Sequence, residues 1–341
     1  MPKSPEKLLY SIQTLRFFAA VGVVIHHSLT SLGAQMTTVL VGAAGVDVFF
    51  VISGVVIGLM DSRDGVLTFA IKRLIRLIPL YWLATLAYVL ERYITFGLVP
   101  GWGHVIHSLL LLPDFSDPNW FPIYVPAWTL CFEATFYLMF ALLLPLARPS
   151  PALAAIIISA SLTALQVPNP LAPSSFFNTS LFMEFAVGLM IAQMLRHWTV
   201  LPLKFGALSL TSGLLIFAQH FDGWGGPELL GWGIPAALTV LGAVGLERLR
   251  FWRHRILVLG GNASYAIYLF HLTIMEPLLV KLEQSGIDLH STAARVAMRE
   301  VLLVGTAVLI GTLIHMTIER PLLGFLRKAA FGPRVDVRVA G

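Results

Sequence analysis

The chain has 341 residues, of which 57% are hydrophobic and only 12% are Asp, Glu, Lys or Arg. Soluble domains carry about 25% charged residues, so this composition excludes a soluble enzyme and a disordered chain, and the single cysteine excludes a disulfide scaffold. The net charge is +5. The basic residues concentrate in loops on one side of the predicted spans, a pattern that indicates membrane orientation and not a nucleic-acid partner.

Ten apolar segments are predicted to be membrane-spanning helices, since about 18–20 apolar residues cross the hydrocarbon. The run from His107 to Leu112 is too short to cross and is predicted to be interfacial or re-entrant. We therefore predict an all-α, polytopic integral membrane protein with about ten transmembrane helices over residues 1–326, followed by a cytoplasmic C-terminal tail over 327–341. The ten segments are 12–31, 43–61, 77–96, 125–146, 152–168, 176–196, 201–219, 229–246, 256–280 and 297–318.

The distribution of basic residues predicts the orientation. With the N-terminus inside, 18 of the Lys and Arg residues fall on the inner side and 4 on the outer side, while Arg16 lies within a helix. Basic loops stay in the cytoplasm. Both termini are therefore predicted to be cytoplasmic.

Ionisable residues inside the spans are the first candidates for function, because a charge at bilayer depth costs about 2.5–3.5 kcal/mol. Arg16 and His27 are eleven residues apart on one span. This is about three helical turns and 16 Å, so both project from one face, Arg16 near the cytoplasmic end and His27 beyond mid-membrane. Glu184 and Glu276 are also intramembrane, but the sequence indicates no partner for either.

Glu133, His271 and Asp47 are predicted to reach the depth of His27. A carboxylate at that depth would orient the imidazole and increase its basicity. Glu133 is the first candidate for this role and Asp47 the second. The alternative is that each histidine makes one interhelical hydrogen bond that stabilises packing.

A basic pair precedes the third predicted span. Arg73 and Arg76 are three residues apart and would share a helix face. Two guanidinium groups on one face present paired donors to a single anion, preferably a phosphate. Ordinary positive-inside anchoring is the alternative explanation.

These motifs occur together in the order typical of the acyltransferase family 3 membrane proteins, which the chain resembles over nearly its whole length. The nearest layout is that of members without a fused periplasmic domain, often called exopolysaccharide acetyltransferases. Thr129 stands where that family usually has a serine. The matching segments are the Arg16-to-His27 spacing, Gly45–Gly54, Arg73 with Arg76 before Pro79–Trp82, Trp128–Tyr137, Gly260–His271 and Glu319–Pro321.

The resemblance implies transfer of an acyl group, usually acetyl from acetyl-CoA, to a hydroxyl of a carbohydrate or lipid-linked glycan. It implies a multi-pass protein among the lipids of the bacterial inner membrane and no metal. His27 would act as the general base, and His271 would donate to the thioester oxygen or hold the site together. Arg73 and Arg76 would hold the phosphates of acetyl-CoA, with its pantetheine arm running past Arg16.

Two other functions are compatible with charged residues at depth. A secondary transporter also places ionisable groups in its spans, but the sequence lacks paired Gly/Pro-broken helices in corresponding halves. A non-catalytic partner of glycan export is the other alternative, against which the ordered set of motifs argues.

Overall fold

A computed structural model describes residues 9–30, 40–60, 65–98, 100–111, 122–147, 150–165, 180–197, 201–219, 228–286 and 291–332. All regular elements within these ranges are helical. The helices are α1 Tyr10–Thr30, α2 Leu40–Leu59, α3 Val66–Phe96, α4 Trp102–Leu109, α5 Trp128–Leu142, α6 Leu144–Ala147, α7 Pro151–Leu165, α8 Leu181–His197, α9 Leu203–Gln219, α10 Ile234–Gly245, α11 Arg255–Gln284, α12 Ala293–Ile314 and α13 Arg320–Phe331.

The predicted fold class is confirmed: the protein is all-α and polytopic. Each of the ten predicted segments overlaps a helix, and the short run near His107 lies at the end of the eight-residue helix α4. Residue 112 and the segment ends at 31, 61, 166–168 and 176–179 lie outside the described residues. Within the described ranges, five helical stretches are long and apolar enough to cross a membrane: Tyr10–Thr30, Val66–Phe96, Val125–Leu142, Arg255–Gln284 and Ala293–Phe331.

Helix α3 begins earlier than predicted. It starts at Val66, although the sequence predicted a span only from residue 77, because basic residues and Pro79 indicated a boundary there. Proline removes one backbone hydrogen bond, but neighbouring groups in membrane helices compensate for such a loss. Arg73 and Arg76 therefore lie on a continuous helix.

The last span also differs from the prediction. Helix α12 ends at Ile314, passes through one wide π turn at His315–Glu319, and continues as α13 to Phe331. The predicted tail thus begins inside a helix, and residues 333–341 lie outside the described residues. Wide turns are frequent at functional sites, and this one directs the buried carboxylate of Glu319 against His315 Nδ1 at 2.7 Å.

Close contact between glycines and neighbouring backbones holds the central helices together. A Cβ on Gly261 of α11 would lie 2.0 Å from the carbonyl oxygen of Gln13 on α1, and one on Gly188 of α8 would lie 2.2 Å from the carbonyl oxygen of Val51 on α2. Membrane helices associate through such small residues, because lipid provides no hydrophobic driving force between them. Helix α1 is packed between α2 and α11, and a Cβ on Gly45 of α2 would lie 2.4 Å from its Ala19 carbonyl oxygen.

We predict that Gly261→Ala lowers the melting temperature in detergent, because the new methyl group overlaps the α1 backbone. Overpacking costs about 1–3 kcal/mol, which corresponds to a decrease of roughly 2–10 °C. Gly305→Ala is the matched control, since its Cβ would meet nothing within 4 Å. Equal melting temperatures for the two variants would contradict this account of the contact.

Candidate active site

A cavity of about 90 Å³ lies between α1, α2, α3, α5 and α11. Arg16, Arg73 and Arg76 line it together with Glu133. Among the described residues, no three His, Cys, Asp or Glu side chains come together as metal ligands. The guanidinium groups that line the cavity are suited to binding an anionic group.

Aromatic rings hold the two arginines of α3 in place. The Arg73 guanidinium lies 5.5 Å from the ring centres of both Phe69 and Tyr137. The Arg76 guanidinium lies 5.8 Å from the ring centre of Tyr265. Contact with an aromatic face stabilises a cation without occupying the in-plane N–H donors. Arg73 Nη2 donates to Met60 Sδ, and the other donors of this pair are suited to a phosphate group.

Glu133 lies with the arginines that line the cavity. It accepts a hydrogen bond from Tyr137 Oη and interacts electrostatically with Arg16. The helical pattern of α5 predicted the depth of Glu133 only coarsely and did not indicate which neighbour it faces. In the structure the carboxylate balances positive charge in the cavity.

Beyond the cavity, two histidines meet between α1 and α11. The ring centres of His27 and His271 are 5.0 Å apart. His271 is fully buried, and its Nδ1–H donates to the backbone carbonyl of Tyr268 at 2.6 Å. That bond leaves the lone pair on Nε2, which has no hydrogen-bond partner among the described residues. The imidazole of His271 is therefore a neighbour of the His27 ring.

One tyrosine separates the cavity from the histidine pair. Tyr268 lines the cavity, and its ring centre is 5.9 Å from that of His271. Its hydroxyl donates to the carbonyl of Pro126 at 2.8 Å and lies 2.9 Å from Thr129 Oγ1. The cavity thus extends from the partly exposed arginines to within one side chain of the imidazoles.

Asp47, the second carboxylate predicted to support His27, faces another helix. Its buried side chain interacts electrostatically with the carboxylate of Glu184 on α8, which accepts a hydrogen bond from Ser180 Oγ at 3.0 Å. Asp47 therefore links α2 to α8. The sequence indicated the depth of both carboxylates, but no local pattern indicated that they face each other.

Arg92 and Arg299, two of the four basic residues on the predicted outer side, make contacts between helices. Arg92 pairs with Glu276, which gives that carboxylate its partner. Arg299 is 1% exposed and donates to the Ser28 carbonyl at 3.4 Å. The second contact ties α12 to the end of α1 that carries His27.

Comparison with known proteins identifies the family of this chain. A family model described as an acyltransferase domain matches residues 9–317. The chain belongs to acyltransferase family 3. This confirms the resemblance drawn from the ordered motifs. The chain is also 32% identical over 321 residues to the exopolysaccharide production protein ExoZ of Rhizobium meliloti (strain 1021), an alignment that covers 88% of this chain and 94% of the relative. No solved structure matches it.

We predict that the cavity of this acyltransferase-family protein is accessible from the cytoplasmic face. In a Cys131→Ala background, Ser53→Cys places a thiol in the cavity wall. A charged methanethiosulfonate reagent should modify it in inside-out vesicles. Ser209→Cys, at a position 5% exposed, should stay unmodified. Modification of Ser53→Cys only in right-side-out vesicles would contradict the predicted orientation.

Proposed function

We propose that this protein is a membrane-bound O-acyltransferase that moves an acetyl group from acetyl-CoA to a hydroxyl of a carbohydrate or lipid-linked glycan. The observation that carries the proposal is a cavity that is lined by three arginines and ends one side chain from the His27–His271 pair. Family membership supports acyl transfer. The relative named for exopolysaccharide production supports a glycan acceptor.

The donor enters with its thioester end first. Arg73 and Arg76 bind the diphosphate, since paired guanidinium groups match phosphate oxygens. The pantetheine arm extends past Arg16, on the helix that carries His27 about 16 Å further along the axis. The thioester then lies at the Tyr268 end of the cavity, next to His271.

His27 acts as the general base. Its unprotonated ring nitrogen takes the proton of the acceptor hydroxyl while that oxygen attacks the thioester carbonyl carbon. The C–S bond then breaks, and the CoA thiolate receives a proton from the His27 imidazolium. The products are the acetyl ester and CoA, with the enzyme unchanged.

His271 positions the base. Because its Nδ1–H donates to the Tyr268 carbonyl, its Nε2 can accept a hydrogen bond from the His27 ring. That bond fixes the tautomer of His27 and stabilises the imidazolium that forms during transfer. In this proposal His271 orients the His27 imidazole, the role first predicted for a carboxylate. Glu133 instead stabilises the arginines of the donor site.

We favour direct transfer in a ternary complex, in which His27 serves as a base and carries no acetyl group. Exchange of labelled CoA into acetyl-CoA without acceptor would instead indicate an acetyl-enzyme.

The response to CoA distinguishes the acyltransferase from a transporter or an export partner. CoA should raise the melting temperature of the acyltransferase in detergent, whereas proton-coupled uptake without CoA dependence would indicate transport.

Replacing His27 with alanine should lower kcat by about 10²- to 10⁴-fold, the usual contribution of a general base. Affinity for acetyl-CoA should be retained, because the phosphates bind one end of the site and the base lies at the other. The exposed His197→Ala is the control. Transfer at the control rate with normal expression would exclude His27 as the base.

The double variant Arg73→Ala/Arg76→Ala should raise the KM for acetyl-CoA by about 10- to 100-fold, as charge-assisted hydrogen bonds contribute about 1.5–3 kcal/mol. Arg250→Ala/Arg255→Ala removes the same charge from exposed positions and should leave the KM unchanged. An equal effect in both double variants would show a general surface-charge effect instead of a phosphate site.

The acceptor class is tested in cells. Deleting the gene should reduce the O-acetyl content of surface glycans measured by NMR, and the wild-type gene but not the His27→Ala variant should restore it. Unchanged glycan acetylation with altered acetylation of a small metabolite would show a different acceptor.

A further inference from the structure

The C-terminal half of α13 crosses the inner end of α3. Lys72 Nζ lies 5.8 Å from the ring centre of Phe331. Arg327 is one helical turn before Phe331, and Arg76 is one turn after Lys72. This register brings Arg327 next to Arg76 and Arg73, and its guanidinium interacts electrostatically with both.

The resulting arginine cluster has more positive than negative charge. Glu133 and Glu319 are the carboxylates that interact with its members. Like charges repel strongly in a partly desolvated setting, so four guanidinium groups against two carboxylates favour binding of a polyanion. The arginine cluster consists of Arg16, Arg73, Arg76 and Arg327.

Arg327 occupies a different position from the other three arginines. They line the cavity, whereas Arg327 approaches them from α13, outside the lining. Acetyl-CoA has its phosphates in a matching order: the diphosphate adjoins the pantetheine arm, and the ribose 3′-phosphate lies further from the thioester. An arginine outside the cavity but adjacent to Arg76 is thus placed for the outer phosphate.

We propose that Arg327 binds the 3′-phosphate of the acyl-CoA donor, while Arg73 and Arg76 bind its diphosphate. This assignment rests on the proposed function and deepens it. It makes α13 part of the donor site, and it makes the protein selective for CoA over dephospho-CoA. Phosphate is the ligand that a guanidinium binds with paired donors.

Anchoring at the membrane surface is the competing role for a basic residue on α13. Basic side chains near the inner leaflet interact with anionic lipids. Lys328 suits that role, because it is exposed, whereas Arg327 is partly buried against α3. Arg327 and Lys328 therefore serve as a matched pair for the test, because they share a helix and a charge but differ in burial.

The test measures the KM for acetyl-CoA and for acetyl-dephospho-CoA in the full-length protein. Arg327→Ala should raise the KM for acetyl-CoA about tenfold, the equivalent of about 1.4 kcal/mol, and leave the KM for acetyl-dephospho-CoA unchanged. Lys328→Ala should change neither. Wild-type protein should itself prefer acetyl-CoA, and Arg327→Gln should repeat the selective loss if the alanine variant does not fold.

Three results would overturn the assignment: an equal rise of both KM values in Arg327→Ala, no rise in either, or a wild-type protein that uses both donors equally. These outcomes differ from failure of the proposed function. In that case the wild-type protein would neither bind nor use either donor.

Discussion

Backbone contact between α1 and α11 is the constraint on which the site depends. Gly261 allows α11 to approach Gln13 so closely that a single methyl group would overlap its carbonyl oxygen. Since both helices are rigid, this contact fixes their relative position along the membrane normal. His27 and His271 then meet at 5.0 Å. Small residues are the means by which membrane helices reach such distances, so a packing feature determines the geometry of the proposed chemistry.

The charged groups and the proposed catalytic histidines lie in different parts of the site. Guanidinium groups at bilayer depth are costly, and here aromatic faces and two carboxylates stabilise them at one end of the cavity. The histidine pair lies beyond the other end, next to Tyr268 and the ring of His26. A donor with several phosphates at one end and a reactive thioester at the other matches this division. Tyr268 lies between the two zones.

Features set by a single helix could be predicted from the sequence, whereas contacts between helices could not. The common face of Arg16 and His27 follows from helical periodicity, and so does the shared face of Arg73 and Arg76. The neighbours of Glu133 and Asp47 depend on the rotation of α5 and α2 about their axes. A helix that is hydrophobic on all sides gives no sequence signal for that rotation. The position of Arg327 near α3 could not be predicted either, because it depends on a helix that continues past the expected end of the last span.

An electron cryomicroscopy map of the protein with bound CoA tests the central claim most directly. The account predicts the diphosphate between Arg73 and Arg76 and the thiol at the Tyr268 end of the cavity, one side chain from His271. A thiol that points away from the histidines, or a CoA molecule bound on another face of the protein, would contradict it.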